Sequence, residues 1–263
     1  MKLAETFAAA RGEGRAVLVG YLPAGAQPDA AFTAMVEAGV DVVEVGLPYS
    51  DPVIDGPVIQ QAVDRALAAG TTPRDVLRTV ETVARTGAPV LVMTYWNPVE
   101  QYGVDRFAAD LAAAGGAGMI TPDLTPEEAG PWLAAAEKQR LDPVFLVAPS
   151  STDERVARIA GLCRGFVYAT SVMGVTGARQ QTSAAAPVLV RRVRAVTDLP
   201  VGVGLGVSSG DQAAEVAGYA DAVIVGSAFV RAVLDAPDGG APAAAGRLAA
   251  ELAAGVRRAR RPG

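Results

Sequence analysis

The 263-residue chain contains no histidine, one cysteine and, along its whole length, only Lys2 and Lys138 as lysines. Each shortage removes a class of chemistry. Without histidine there is no Ser-His-Asp or Cys-His nucleophile pair, and the commonest metal ligand is missing. Cys163 by itself forms neither an intrachain disulfide nor a thiolate metal cluster. Lys2 lies in the N-terminal arm and Lys138 near a predicted helix end, so neither suits a Schiff base, and pyridoxal phosphate and imine aldolase chemistry are both disfavoured. No metal and no cofactor is expected on this chain. Basic residues are also in deficit, 23 against 28 acidic, for a net charge of −5. Nothing there neutralises a phosphate backbone, so no nucleic acid partner is expected. The Arg257-Arg258-Ala259-Arg260-Arg261 tail reads as a frayed terminus. No apolar run approaches the roughly 20 residues of a membrane span, and the opening residues lack the apolar core of a signal peptide. The expectation is a soluble cytoplasmic protein with no membrane partner. Its chemistry must come from carboxylates, tyrosines, hydroxyls and backbone amides.

What is present is an alternation. Eight short apolar runs recur between alanine-rich amphipathic stretches: 16–20, 42–45, 90–93, 118–120, 144–147, 166–168, 201–203 and 222–225. Runs apolar on both parities suit strands covered on both faces, as in a parallel sheet. Thr72-Pro73 and Thr125-Pro126-Glu127-Glu128 each read as an N-cap followed by proline at the first helical position. Eight β-α repeats in about 250 residues predict an α/β fold, a single (β/α)8 TIM barrel forming one domain over 1–263. An open doubly wound sheet fits the same pattern. Leu3, Phe7 and Ala10, at helical spacing, predict an extra N-terminal helix capping the closed bottom of the barrel. Residues 236–246 read as a loose connection to a last helix over 247–258. Two loops after strands are long, 46–56 and 170–185, and loops of that length at a barrel's active end are often lids or binding loops.

Glu44 interrupts an apolar strand, on the face opposite Val43 and Val45. If that face is the barrel interior, desolvation raises its pKa toward neutrality, which suits a group that gives and takes protons. A rim glutamate in a salt bridge fits too. Asp55 precedes Gly56-Pro57 and could face Glu44 across a small molecule, or simply cap the next helix. Asp51 before Pro52 reads more readily as a turn residue. Glycine clusters end the later strands: Met173-Gly174-Val175-Thr176-Gly177, Gly204-Leu205-Gly206-Val207-Ser208 and Gly226-Ser227. Glycine admits close approach of backbone amides to an anion, and barrel phosphate sites are commonly built after strands seven and eight beside a helix N-terminus. Tight turns are the alternative. Tyr168 offers a hydroxyl to substrate or is a rim aromatic. Tyr95, Trp96 and Tyr102 read as core or loop packing, and Cys163 as a small buried hydrophobe.

The stretch Val43-Glu44-Val45-Gly46-Leu47-Pro48-Tyr49-Ser50-Asp51-Pro52-Val53-Ile54-Asp55-Gly56-Pro57-Val58-Ile59-Gln60 resembles the signature of the tryptophan synthase alpha subunit family. Gly20-Tyr21-Leu22-Pro23-Ala24-Gly25, Met93-Thr94-Tyr95-Trp96-Asn97-Pro98, Pro122-Asp123-Leu124 and the glycine clusters are similar to that family in order and spacing, from about residue 3 to 258. The resemblance implies a lyase of tryptophan biosynthesis that cleaves indole-3-glycerol phosphate to indole and glyceraldehyde 3-phosphate. It implies catalytic roles for Glu44 and Asp55, a substrate contact for Tyr168, and a phosphate site around Thr176, Gly177, Gly206, Gly226 and Ser227. It also implies an allosteric partner, a beta subunit carrying pyridoxal phosphate in an alpha2beta2 heterotetramer, with Asp51 and Pro52 on the docking face. The family's usual pattern is altered at Ala26-Gln27-Pro28 and at Ile54, while Glu44 and Asp55 themselves are unaltered.

The residue inventory agrees with that chemistry. A retro-aldol cleavage usually draws on an imine lysine or a metal as electron sink, but an indole ring protonated at C3 is its own sink. Two carboxyl groups then suffice: Glu44 to protonate C3 and take the side-chain hydroxyl proton, Asp55 to accept the indole N–H. Other readings are a free-standing lyase of the same lineage, a phosphosugar isomerase barrel of tryptophan or histidine synthesis, and a catalytically weak allosteric subunit.

Overall fold

Eight parallel strands pair in chain order and close on themselves, the last against the first, in the computed structural model of the protein. The structure describes residues 3–170, 179–204 and 206–259. The strands are β1 Val17–Pro23, β2 Val42–Gly46, β3 Val90–Met93, β4 Gly118–Thr121, β5 Asp142–Val147, β6 Val167–Thr170, β7 Val201–Gly204 and β8 Ala222–Val225. The helices are α1 Leu3–Gly12, α2 Ala30–Glu37, α3 Pro57–Ala68, α4 Pro73–Ala84, α5 Trp96–Tyr102, α6 Val104–Ala113, α7 Gly130–Gln139, α8 Asp153–Leu162, α9 Arg179–Arg194, α10 Gly210–Ala217, α11 Ser227–Leu234 and α12 Ala241–Arg258. The closed ring decides between a barrel and an open sheet.

Strand alternation divides the core in two. Val43, Val45, Val90 and Val92 face outward and pack with helix residues such as Phe32, Val76, Val80 and Phe107. Val17, Val19, Val42, Leu91, Ile120, Val144 and Phe166 face inward. Leu3, Phe7 and Ala10 of α1 join this inner cluster, so the N-terminal helix plugs the bottom as its spacing predicts. Phe7 meets Phe166 at 5.6 Å between ring centroids, and Phe166 meets Tyr168 at 6.4 Å. A column of three rings therefore rises from the plug toward the mouth. Burying such inward side chains is worth about 1.5–3 kcal/mol each, and this layer closes the barrel to water from below.

Four sequence expectations need correction. β1 runs three residues past Gly20, to Pro23. Thr125-Pro126 does not start a helix: Glu128 N–H closes a turn onto the Thr125 carbonyl at 3.1 Å, and α7 begins at Gly130. Pro131 is the reason, because in a helix begun at Pro126 it would sit in the interior, without an N–H and against the preceding turn. At the first turn of α7 the same residue is accommodated. The last helix starts at Ala241 rather than 247, since Ala241-Pro242-Ala243-Ala244-Ala245 combines an early proline with the best helix formers. α9 begins at Arg179, inside the stretch read as a loop up to residue 185. Thr72 behaves as predicted: its N–H and hydroxyl both donate to the Asp75 carboxylate, at 2.8 and 2.6 Å.

Candidate active site

Glu44 sits in the middle of β2, paired with Tyr21 of β1 and Leu91 of β3. Its parity matches Val42, so it points into the barrel interior. Only 3% of it is exposed, and Oε1 has no hydrogen-bond partner among the described residues. Burial alone pushes its pKa up to about 8. At neutral pH the group is a carboxylic acid with a proton to give. The rim salt-bridge reading is thereby set aside.

Asp55 follows on the long loop between β2 and α3. It is not the cap of α3: Gly56 holds that position, no side chain caps it, and Pro57 opens the helix. The Gln60 amide donates to the Asp55 carbonyl at 2.7 Å and pins the backbone, while the carboxyl is left for the interior. Burial raises its pKa, and a hydrogen bond from the Tyr95 hydroxyl opposes that rise. Tyr95 also accepts the Ile54 N–H at 3.1 Å. Sequence reasoning took Tyr95 for packing, and the structure places its hydroxyl on the Asp55 loop.

Glu44 and Asp55 line one cavity of about 180 Å³ at the C-terminal mouth of the barrel. Tyr168, Gly206, Gly226 and Ser227 line it too, so six of the residues singled out from sequence converge. Thr176 and Gly177 lie outside the described residues. The remaining lining includes Gly204, from the glycine cluster that ends β7, and Tyr21, Ile54, Ile59 and Met93, none of which was assigned a role. Tyr21 was legible in principle, since it shares the inward parity of Val17 and Val19, but the predicted strand stopped one residue short of it. Its hydroxyl leans over Gly46, where an added Cβ would lie 2.4 Å away, and the Tyr168 hydroxyl leans over Gly204 at 2.5 Å. Both glycines are gaps that admit a phenol. Burial and the two carboxyl groups hold both phenols well above their usual pKa, so they remain neutral donors.

At the other end of the cavity α11 opens at Gly226-Ser227 with no side-chain cap. First-turn N–H groups and the helix dipole there favour an anion. Gly206 adopts φ +69°, with open space where a Cβ would stand. A pair of carboxyl groups at one end and an anion cradle at the other fit a substrate with a phosphate tail.

The family profile described as Tryptophan synthase alpha chain matches residues 7–255. The chain belongs to that family. It is 66% identical over 253 residues to the tryptophan synthase alpha chain of Acidothermus cellulolyticus, covering 94% of each chain. It is 63% identical over 269 residues to that of Thermobifida fusca, covering 99% of this chain and 98% of the relative. Among solved structures, Mycobacterium tuberculosis tryptophan synthase superposes with TM-score 0.90 at 57% identity, over 97% of this chain and 98% of that one. The tryptophan synthase alpha subunit of Legionella pneumophila does so with TM-score 0.87 at 33% identity, over 97% and 98%. Members of the tryptophan synthase alpha family act in tryptophan biosynthesis, and the lyase chemistry of that role fits the two carboxyl groups found here.

Asp51 and Pro52 stand apart from the cavity lining. Ser50 donates to the Asp51 carboxylate at 2.5 Å in a local exposed turn. Beside them Val53 and Ile54 are 73% and 53% exposed, two of the few large apolar side chains on the described surface. Tyr102, by contrast, is loop packing as predicted, its hydroxyl donating to Asp110 at 2.6 Å. Cys163 is buried, with its thiol pushed up to about 12 by desolvation.

Proposed function

We propose that this cavity cleaves indole-3-glycerol phosphate to indole and glyceraldehyde 3-phosphate, with Glu44 and Asp55 as its catalytic residues. The observation that carries the reading is the buried, unpartnered and neutral Glu44 carboxyl in the same cavity as Asp55. Two carboxyl groups whose surroundings differ in this way can divide acid and base work. Glu44 donates its proton to C3 of the indole ring. The carboxylate so formed takes the proton of the side-chain hydroxyl as the C–C bond breaks, and the electron pair of that bond restores the aromatic ring. Asp55 accepts the indole N–H and stabilises the positive charge while C3 is protonated. Each such contribution is worth roughly 10²–10⁴-fold.

The phosphate is held at the α11 N-terminus by the Gly226 and Ser227 amides and the Gly206 turn. Tyr168 contacts the substrate between the two ends. The chain works as one domain over 1–263, in the cytoplasm. It docks on a beta subunit in an alpha2beta2 heterotetramer through the face that carries Asp51 and Pro52. The apolar Val53 and Ile54 exposed on that loop support the docking. The deciding experiment offers indole-3-glycerol phosphate to the purified chain, with and without a beta subunit, and measures indole. No release in either case removes the proposal.

A further inference from the structure

Tyr95 stands at the N-cap of α5, in the turn after β3. Its ring is buried and packs on Tyr49 at 5.3 Å between centroids, while Tyr49 accepts a hydrogen bond from the Asn97 amide at 3.2 Å. The Asp123 carboxylate takes the Trp96 N–H at 2.9 Å. The turn that carries Tyr95 is thus fixed on both sides before any substrate arrives. From this platform the Tyr95 hydroxyl reaches across to the β2–α3 loop. One lone pair accepts the Ile54 N–H at 3.1 Å, and the same hydroxyl, beside the Asp55 carboxyl, opposes the rise that burial gives its pKa. A single phenol oxygen therefore holds the backbone immediately before Asp55, in a loop whose neighbouring side chains, Val53 and Ile54, are largely exposed.

We propose that Tyr95 is the positioning residue for Asp55, aiming its carboxylate at the place where the indole N–H must sit. The inference rests on the reading of Asp55 given above. The backbone of Asp55 is held by Gln60, but that bond ends at the carbonyl and leaves the side chain free to rotate. Three other titratable groups face Asp55 within the cavity: Glu44, Tyr21 and Tyr168. Of the hydroxyls around it, that of Tyr95 is the one bonded to the adjoining backbone, at the Ile54 N–H, and it favours the charged form of the Asp55 carboxyl. A misaimed partner wastes the advantage of a preorganised site. The charged form of Asp55 is the form that can stabilise a positive indolenine.

Tyr95→Phe keeps the ring and its packing on Tyr49 while deleting the hydroxyl. With the chain assayed in complex with its beta partner, indole formation should show kcat lowered roughly 10- to 100-fold, the usual worth of a hydrogen bond to a charged group. KM should stay near its wild-type value. The acid limb of the kcat profile should move to higher pH, since the carboxylate loses a bond that lowers its pKa. Tyr49→Phe, which deletes a hydroxyl bonded to Asn97, should leave that limb in place. A wild-type kcat and an unmoved acid limb in Tyr95→Phe overturn the inference. Asp55→Asn is measured in parallel. If it is fully active, the reading of Asp55 fails and the inference with it; if it is inactive beside a normal Tyr95→Phe, the positioning role alone fails.

Discussion

Glu44 and Asp55 differ in what surrounds them, and the difference divides their work. Glu44 is enclosed with an unpartnered oxygen, so burial acts unopposed and its pKa rises to about 8. Asp55 is half-buried, and the Tyr95 hydroxyl offsets part of the same effect. The substitution Glu44→Gln should abolish nearly all indole release while still binding glycerol phosphate, because the amide keeps the shape but shuttles no proton. It should also change stability with a defined sign. Below the ordinary glutamate value of 4.5 both folded and unfolded chains are protonated, and Glu44 contributes nothing. Between there and about 8 the unfolded chain is ionised and the folded one is not, so Glu44 makes the fold progressively less stable. The loss is on the order of a few kcal/mol and levels off above that range. Glutamine escapes it, so urea unfolding should find Glu44→Gln gaining on the wild type as pH rises from 5 to 8. Equal behaviour at both pH values would contradict a neutral buried carboxyl.

At the scale of elements, a few strands bring functional residues to the mouth, and the loop or helix that follows gives each a setting. β2 supplies Glu44, and its loop supplies Asp55. β6 supplies Tyr168, and β8 runs into the uncapped start of α11. The bottom of the barrel is held differently. Asp41 receives two bonds from Arg15, at 2.8 and 2.9 Å, and the Leu18 N–H at 2.8 Å. Asp221 receives Arg194 at 3.1 Å and the Val201 N–H at 2.9 Å. Charge-assisted bonds of this kind lock strand starts, leaving the strand ends to chemistry. The α11 terminus makes its own prediction. Gly226→Asp has room for its Cβ, which would meet Tyr21 at 3.5 Å, so the fold should survive. Substrate binding should nonetheless weaken, by negative charge placed at the anion cradle. Glycerol phosphate should compete with substrate in the wild type, and plain glycerol should not. Equal inhibition by the two would show that the helix terminus holds no phosphate.

For the whole molecule, the loop between β2 and α3 has two neighbours. Asp55 faces the cavity, and Asp51, Val53 and Ile54 are exposed at the surface one to four residues away. A partner seated on that surface bears on the catalytic loop, and binding at the two places must be linked reciprocally. A beta subunit should therefore raise the cleavage rate, and glycerol phosphate should tighten the complex by roughly 5- to 150-fold. Titration of the beta subunit with and without glycerol phosphate measures the effect. Repeating it with Val53→Asp, which puts a charge on an exposed apolar position, should weaken association with little loss of stability. Full lyase activity alone, with no association at micromolar concentration, would instead support a free-standing lyase.

Much of this was legible in the chain itself, because period and composition are local properties. Two-sided apolar runs marked all eight strands, and the Leu3, Phe7 and Ala10 spacing marked the plug. Absent histidine and scarce lysine narrowed the chemistry to carboxylates, tyrosines, hydroxyls and backbone amides before any fold was known. Helix starts were less legible at Thr125 and Ala241, where prolines competed over which one opens a helix, and only packing decided. The sequence left Asp55 between cap and catalyst, and Tyr95 among the packing residues. Tertiary structure removed the cap reading by giving that position to Gly56, and revealed the place of Tyr95 by bringing residues 54 and 95 to 3.1 Å. It also raised the Glu44 pKa, since desolvation belongs to a closed barrel and not to a strand. A residue's type and period are written in the chain, but what faces it across the mouth exists only once β8 has met β1.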